Sequence, residues 1–410
     1  MNEAKIPVDR SALGQESTQQ FRGVDLERMR YERYGRLQAE MRKRDIGVLV
    51  LTDLVNVRYA TGLAVSSLWN ASHLSSYVMI PVTGDPVVYG YPEALYRSNV
   101  FWNDVRPARH WQYRFSGRAA QDVVRDAVDD LSAAIKERGL TGERVGVDRL
   151  DAFGFFALTS AGIEICDADE AVQAARMVKT WDELEVLKQS VAVGEAALYQ
   201  LETAIRPGIS ENELLAVMWG EMLRLGGEYC STRLVASGSR TNPWFQEASS
   251  KLVRPGDLVA VDTDMIGPEG YACDVSRTFL CGRQPTAQQR EAYHVARDFI
   301  TGVASLLRPG IGYRELLRSV TLPPEQYREQ AYSSVVHGLG MEDESPYIGL
   351  ADIDGDTPDE ELVPNMVLCV ECYAGIPGLQ DGVKLEDEYL ITADGAVRLS
   401  QYPLDEVLGA

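Results

Sequence analysis

The sequence predicts a two-domain α/β protein. Two observations lead there. At 410 residues the chain exceeds what one hydrophobic core ordinarily supports. Short apolar, strand-like runs also alternate with amphipathic helical stretches along its length. A third observation bears on chemistry. Five carboxylates and one imidazole recur in order in the second half: Asp262, Asp264, Asp274, His337, Glu371 and Glu386.

Composition narrows the class. Hydrophobic residues at 45% and charged residues at 25% are ordinary for a soluble globular protein. A formal charge of -21 would be repelled by nucleic acid and by anionic membranes, so neither is expected as a partner. The opening MNEAKIPVDRSALGQ is polar and lacks the apolar core of a secretory signal. No run approaches the roughly 18 apolar residues of a membrane-spanning helix. Six cysteines in a chain of this length do not form a disulfide framework, and a reducing cytoplasm is expected. Cys369 and Cys372 form one C-x-x-C within an apolar, strand-like run, where residues three apart face opposite sides; both are read as core.

In chain order, residues 1–22 read as a loose arm. Residues 23–175 read as an α/β domain: a helix-rich start, a strand from Gly47 to Leu51, the segment NVRYATG, strands SSYVMIPV and PVVYG, a helix from about 119 to 138, and the strand VGVD. Residues 176–410 form the second domain. It opens with a long helix that Thr180 caps, Glu183 standing in the capping-box position, and Pro207 and Gly208 close it. Ser210 caps the next helix. A further helix near 286–307 and strands at 257–264, 272–281, 366–373 and 383–392 follow.

Those strands carry the candidate ligands. Asp262 and Asp264 are two apart on one strand and so share a face. The turn GPEG reverses the chain, and an even register, such as Asp262 opposite Asp274, gathers all three on one side. Val259, Val261 and Met265 imply that this side lies inside the protein. Three carboxylates so close would hold protons unless cations sit between them. Glu371 interrupts an apolar run, where an unpaired Glu is costly. Glu386 alone reads equally well as a surface residue. His337 precedes GLG, which admits close backbone approach. Five oxygen donors and one nitrogen, with no thiolate among them, favour Mn, Fe or Co over a structural zinc site.

The ordered set VDTDM, CDVSRTF, HGLGM, VLCVE and KLEDEYLIT resembles the pita-bread metallopeptidase superfamily, which includes aminopeptidase P, prolidase and creatinase. NVRYATG and the helix starting TWDELEVLK resemble the creatinase-like N-terminal domain and the start of the pita-bread domain. The resemblance implies two divalent metal ions on Asp262, Asp264, Asp274, His337, Glu371 and Glu386, and a homodimer. Xaa-Pro peptidases carry one further His after an S-G-x-N motif and another in HGxGLxxHE; here Phe245 and Glu344 stand at those places. The chain has four histidines in all.

ASGSRTNPWFQE, LWNA and HGLGMEDE resemble a narrower branch of the fold, the DddP-type dimethylsulfoniopropionate lyases. That resemblance implies a di-iron-type centre (Mn, Co and Zn being alternatives), Asp343 as catalytic base and Tyr332 as an active-site residue. Without it, Asp343 sits in a charge run of the kind that marks a solvated loop. The substrate would be a small zwitterion, a sulfonium carboxylate. Aromatic faces attract such a cation, and Trp69, Tyr59, Trp244, Phe245 and Tyr373 are the candidates; most serve equally well as core. Departures from the branch fall at Tyr229, Glu342 and Ser345, positions that could line the sulfonium pocket. Three other readings stay open: a dinuclear hydrolase of Xaa-Pro substrates, a lyase acting on another β-substituted carboxylate, and a metal-free binding module on the same fold.

Overall fold

The computed structural model describes residues 23–64, 74, 76–91, 101–282, 284–349 and 360–409. Backbone contacts divide the chain into two compact units. One comprises Glu27–Val178 with Met341–Ser345; the other comprises Lys179–Gly340 and the described residues from Pro346 onward. The short segment 341–345 therefore packs with the N-terminal unit, a placement that a linear division of the sequence at residue 175 does not anticipate.

The N-terminal unit is built on a six-stranded sheet. Helix α1 (Leu26–Lys43) leads into β1 (Val48–Leu51), after which α2 (Leu54–Thr61) holds most of the NVRYATG segment. Asp53 caps α2 by accepting from the amides of Val55 and Asn56, and Gly62, at φ 74°, ends it in a left-handed conformation that glycine adopts without strain. Strands β2 (Tyr77–Pro81), β3 (Val87–Gly90) and β4 (Val105–Pro107) follow, then α3 (Ala120–Glu137), β5 (Val145–Val147), α4 (Ala152–Ser160), β6 (Ile165–Asp167) and α5 (Asp169–Met177). The strand order is β4-β3-β2-β1-β5-β6. The central strands are buried along their whole length, which accounts for their unbroken apolar sequences.

The C-terminal unit opens with α6 (Trp181–Ala204) and α7 (Glu211–Arg224), each started by a complete capping box, Thr180 with Glu183 and Ser210 with Glu213. These reciprocal bonds satisfy amides that the first helical turn leaves unpaired. Short strands β7 (Tyr229–Cys230) and β8 (Val235–Ser237) precede β9 (Leu258–Asp262), β10 (Met265–Ile266), β11 (Ala272–Cys273) and β12 (Ser276–Leu280). Helices α8 (Ala287–Ala304) and α9 (Tyr313–Ser319) lead to β13 (Ser334–Leu339), β14 (Asp343–Gly349), β15 (Val367–Gly375), β16 (Gly382–Thr392) and β17 (Gly395–Arg398). Three sheets result, ordered β11-β10-β7, β12-β9-β8 and β14-β13-β15-β16-β17. No helix among the described residues is long and apolar enough to cross a membrane.

The ligand-bearing hairpin departs from the continuous strands expected at 257–264 and 272–281. Asp264 has φ 37°, and the ladder breaks there: β9 pairs with β12 through Asp262↔Ser276, and β10 with β11 through Met265↔Cys273. The two ladders share one register, so Asp264 and Asp274 stand across from each other in the gap. The partner of Asp262 is thus Ser276 rather than Asp274. The even parity keeps all three carboxylates on one side, and the break frees the gap's backbone from the ladder.

Helix α6 presses closely on this hairpin. A side chain at Gly194 would collide with Cys273 Sγ and approach Met265 Cε at 3.2 Å. Gly194→Ala is therefore expected to destabilise the protein by about 1–3 kcal/mol through overpacking, seen as a lower urea midpoint. An unchanged midpoint would mean that helix and hairpin are free to separate.

Candidate metal centre

Strand pairing gathers the candidate ligands in the C-terminal unit. Glu371 on β15 stands directly across from Glu386 on β16, and His337 on β13 pairs with Cys369 on β15. Residues two apart on β15 share a face, so Cys369 and Glu371 point to the same side. His337 Nε2 lies 3.2 Å from Glu386 Oε1, 3.5 Å from Glu371 Oε1 and 3.8 Å from Asp274 Oδ2. Donor atoms of Asp274, His337, Cys369 and Glu386 all fall within 4.8 Å of one another. Cys369 is core, as its apolar run implies, and fully buried; its sulfur also sits at the donor cluster, and its spacing of two from Glu371 was the available signal for that.

Lys384, which sequence reasoning passed over, lies at the centre of the carboxylates. Its ammonium donates to Glu386 Oε2 at 2.6 Å, to Ser276 Oγ at 2.8 Å and to Asp262 Oδ2 at 3.2 Å, and it stands 2.9 Å from Glu371 Oε2. It is two residues before Glu386 on β16, a parity that places it on the ligand face. Other supports surround the cluster. Ser276 donates to Glu386, Thr232 donates to Asp264, and Glu388 accepts the Asp274 amide. Arg277, fully buried, bonds the Glu386 carbonyl and the Asp387 carboxylate, tying β12 to β16 beside the ligands.

The electrostatics ask for cations. Burial, then the neighbouring Asp262, pushes the Asp264 carboxyl up to about 8. Burial likewise raises Glu371 to about 8, with Glu386 adding to it against the pull of Lys384. Burial also acts upward on Glu386, but Lys384 and His337 outweigh it and hold that group at about 2. One ammonium does not balance five carboxylates, so protons stand in where a metal would bring charge. Asp262 Oδ1 is buried without a hydrogen-bond partner. His337 Nδ1 lies 3.1 Å from the Gly338 carbonyl. That oxygen can only accept, so Nδ1 is the donor there, and Nε2 is the ring nitrogen left facing the carboxylates, where a bound cation could take it as a ligand. The residues present fit a divalent metal.

The other candidates separate. Tyr332 is half-buried; its ring lies 4.8 Å from Lys384 Nζ and 5.4 Å from the Phe245 ring. Burial, and the carboxylates Glu371, Asp262 and Glu386 against the pull of Lys384, push its hydroxyl well above the usual phenol range. Trp244 stacks on Tyr373 at 6.1 Å, its ring is 6.0 Å from Lys384 Nζ, and its indole N–H is buried without a partner. Phe245 is exposed with φ 67°. Tyr229 is partly buried on β7 opposite Ile266, and the amide of the nearby Ser231 donates to the Asp264 carbonyl. Tyr59 is a correction: it is 1% exposed in the N-terminal unit, and its hydroxyl is spent on the Ala175 carbonyl. Trp69 and His73 lie outside the described residues. His110 bonds the Leu74 carbonyl in the N-terminal unit, and His294 lies on α8; among described histidines only His337 reaches the cluster.

Because Asp264 and Glu371 retain protons up to about 8, a metal entering at neutral pH must displace them. Affinity should therefore weaken as pH falls below that value and strengthen as pH rises toward it. Calorimetric titration of manganese at pH 7 in two buffers of different ionisation enthalpy should give different apparent heats. Identical heats would show that no proton is released.

Comparison with known proteins agrees with the architecture. Residues 185–393 match metallopeptidase family M24 and residues 33–178 match the creatinase/prolidase N-terminal domain. A dimethylsulfoniopropionate lyase DddP from Roseovarius nubinhibens is 33% identical over 99% of this chain and 93% of its own length. A second protein of that name, from Roseobacter denitrificans, is 30% identical over 100% and 93%. The solved Xaa-Pro dipeptidase from Bacillus anthracis superposes with a TM-score of 0.74 at 24% identity, covering 92% of this chain and 98% of that one, which speaks for the fold. The chain belongs to metallopeptidase family M24, with a creatinase-like N-terminal domain and a pita-bread C-terminal domain, and its full-length relatives include the DddP lyases.

Proposed function

We propose that this protein is a metal-dependent lyase that cleaves dimethylsulfoniopropionate to dimethyl sulfide and acrylate. The observation that carries the reading is what occupies the two peptidase histidine positions. Phe245 has no proton to give. Glu344 has its carboxylate buried and bound to Arg176 at 3.0 Å. Neither offers the imidazole that would position an amide and its tetrahedral intermediate. An elimination needs neither, because no water attacks. The full-length relationship to the DddP lyases supports the same choice.

Asp262, Asp264, Asp274, His337, Glu371 and Glu386 would hold two divalent ions. Iron is the first choice and manganese, cobalt or zinc are alternatives, with the Cys369 sulfur adding a softer neighbour. When bound, the metal supplies positive charge opposite the substrate carboxylate and stabilises charge developing beside it. Asp343, exposed on its strand, acts as the base. It takes a proton from the carbon next to the carboxylate. The C–H electron pair becomes the new C=C bond, and the C–S bond breaks, with dimethyl sulfide leaving with its electrons. Asp343 then returns the proton to water.

Tyr332, held neutral by its raised pKa, is a hydrogen-bond donor for the substrate carboxylate. The rings of Trp244, Phe245 and Tyr373 would offer faces to the sulfonium, and Tyr229 is a further candidate for it. The reading includes a homodimer, as the family resemblance implies, and a reducing cytoplasm, as the cysteine usage suggests.

Iron- or manganese-loaded protein incubated with dimethylsulfoniopropionate should release dimethyl sulfide into the headspace. Chelated protein should not, and Asp343→Asn should fall by a factor of about a hundred or more. A folded, fully metallated protein that releases none would refute the lyase; turnover of a proline dipeptide instead would make it a hydrolase.

A further inference from the structure

We propose that Arg176 is the positioning residue for Asp343; the inference rests on the role of Asp343 as base. The strand begins at Asp343, and its alternation puts Asp343 and Glu344 on opposite faces; Glu342, in the bend just before it, turns to the same arginine as Glu344. Asp343 is exposed, whereas Glu344 is buried. The Glu side is gripped by one arginine. Arg176, 1% exposed, donates through Nη1 to Glu342 Oε1 at 2.8 Å and through Nε to Glu344 Oε2 at 3.0 Å. A planar guanidinium with donors in a fixed fork can hold both flanking carboxylates in one geometry, and a lysine ammonium cannot. The amide of Ser345 also donates to Gln173 Oε1 at 3.0 Å.

The clamp is itself anchored. Arg176 Nη1 donates to Asn56 Oδ1 at 2.9 Å, and Asn56 Nδ2 donates to Asp148 Oδ2 at 3.1 Å. Asp148 accepts the backbone amides of Thr52 and Asp53, at the junction of β1 and α2. Tyr59, one turn along α2 from Asn56, bonds the Ala175 carbonyl at 2.8 Å, pinning the backbone just before Arg176. The NVRYATG segment thus acquires a purpose: two of its side chains immobilise the arginine that holds the strand around Asp343.

Stability alone is a poor account of this arrangement. One buried guanidinium faces two carboxylates, and burial pushes the Glu342 carboxyl above its ordinary range. A well-packed apolar set of similar volume would commonly be as stable as such a cluster. What an apolar set would lack is directional control of the residue between the two glutamates.

The test compares wild type, Arg176→Lys, Glu344→Gln and Asp343→Asn, all metal-loaded. It measures metal content, kcat and KM for dimethylsulfoniopropionate, and amide hydrogen exchange over residues 341–345. Arg176→Lys should keep its metal and its KM, lose kcat by about a hundredfold through misplacement of the base, and exchange faster across 341–345. Glu344→Gln, which keeps the shape and only weakens the grip, should show the same pattern to a smaller degree. It serves where Arg176→Lys fails to fold. An inactive Asp343→Asn beside a fully active, folded Arg176→Lys would overturn the positioning role while leaving the base assignment standing. An active Asp343→Asn would remove the base assignment and the positioning role with it. Unchanged exchange over 341–345 in Arg176→Lys would overturn the clamp whatever the activities.

Discussion

Buried carboxylates confronting one another are the constraint around which the C-terminal unit is arranged. Asp262, Asp274, Glu371 and Glu386 are each at most 5% exposed, and Asp264 closes the group. Strand pairing brings them together; mutual repulsion works to drive them apart. Lys384 offsets part of that repulsion from within, with its ammonium against three of the carboxylates. Arg277 offsets none of it directly but locks the β12 and β16 backbones on which Asp274 and Glu386 depend. The remaining imbalance is what a divalent ion would remove, and His337 Nε2 faces the same space.

The rest of that unit can be understood as support for this arrangement. Gly194 lets α6 seat against Cys273, the residue before Asp274. Glu388 accepts from the Asp274 amide, and the Thr232 hydroxyl donates to the Asp264 carboxylate. The N-terminal unit has a parallel logic on a smaller scale. There one guanidinium faces two carboxylates, and in the proposed role it fixes the face presented by Asp343.

Much of this was legible in the sequence, for identifiable reasons. Period-two placement of Asp262 and Asp264 and the even parity of the return strand require only strand geometry. The capping box at Thr180 and the cap at Ser210 require only local hydrogen bonding. Three things were not legible. The ladder break at Asp264 depends on a positive φ that a carboxylate residue does not announce. Lys384 and Cys369 share parity with Glu386 and Glu371, but a lysine in a strand and a cysteine in an apolar run both have commonplace explanations. Arg176 lies far in sequence from Glu342 and Glu344, and only the folded chain brings them together. Tyr59 misled for the converse reason: an aromatic that could hold a cation is more often a core residue with its hydroxyl bonded, as it is here.

The central claim is that the carboxylate cluster holds divalent metal, and elemental analysis of the purified, dialysed protein beside His337→Ala and Glu386→Gln tests it most directly. Metal should be retained in near-integral stoichiometry by the wild type and lost or much reduced in both variants. Equal metal content in all three, or a folded wild type that retains none after loading with iron or manganese, would contradict it.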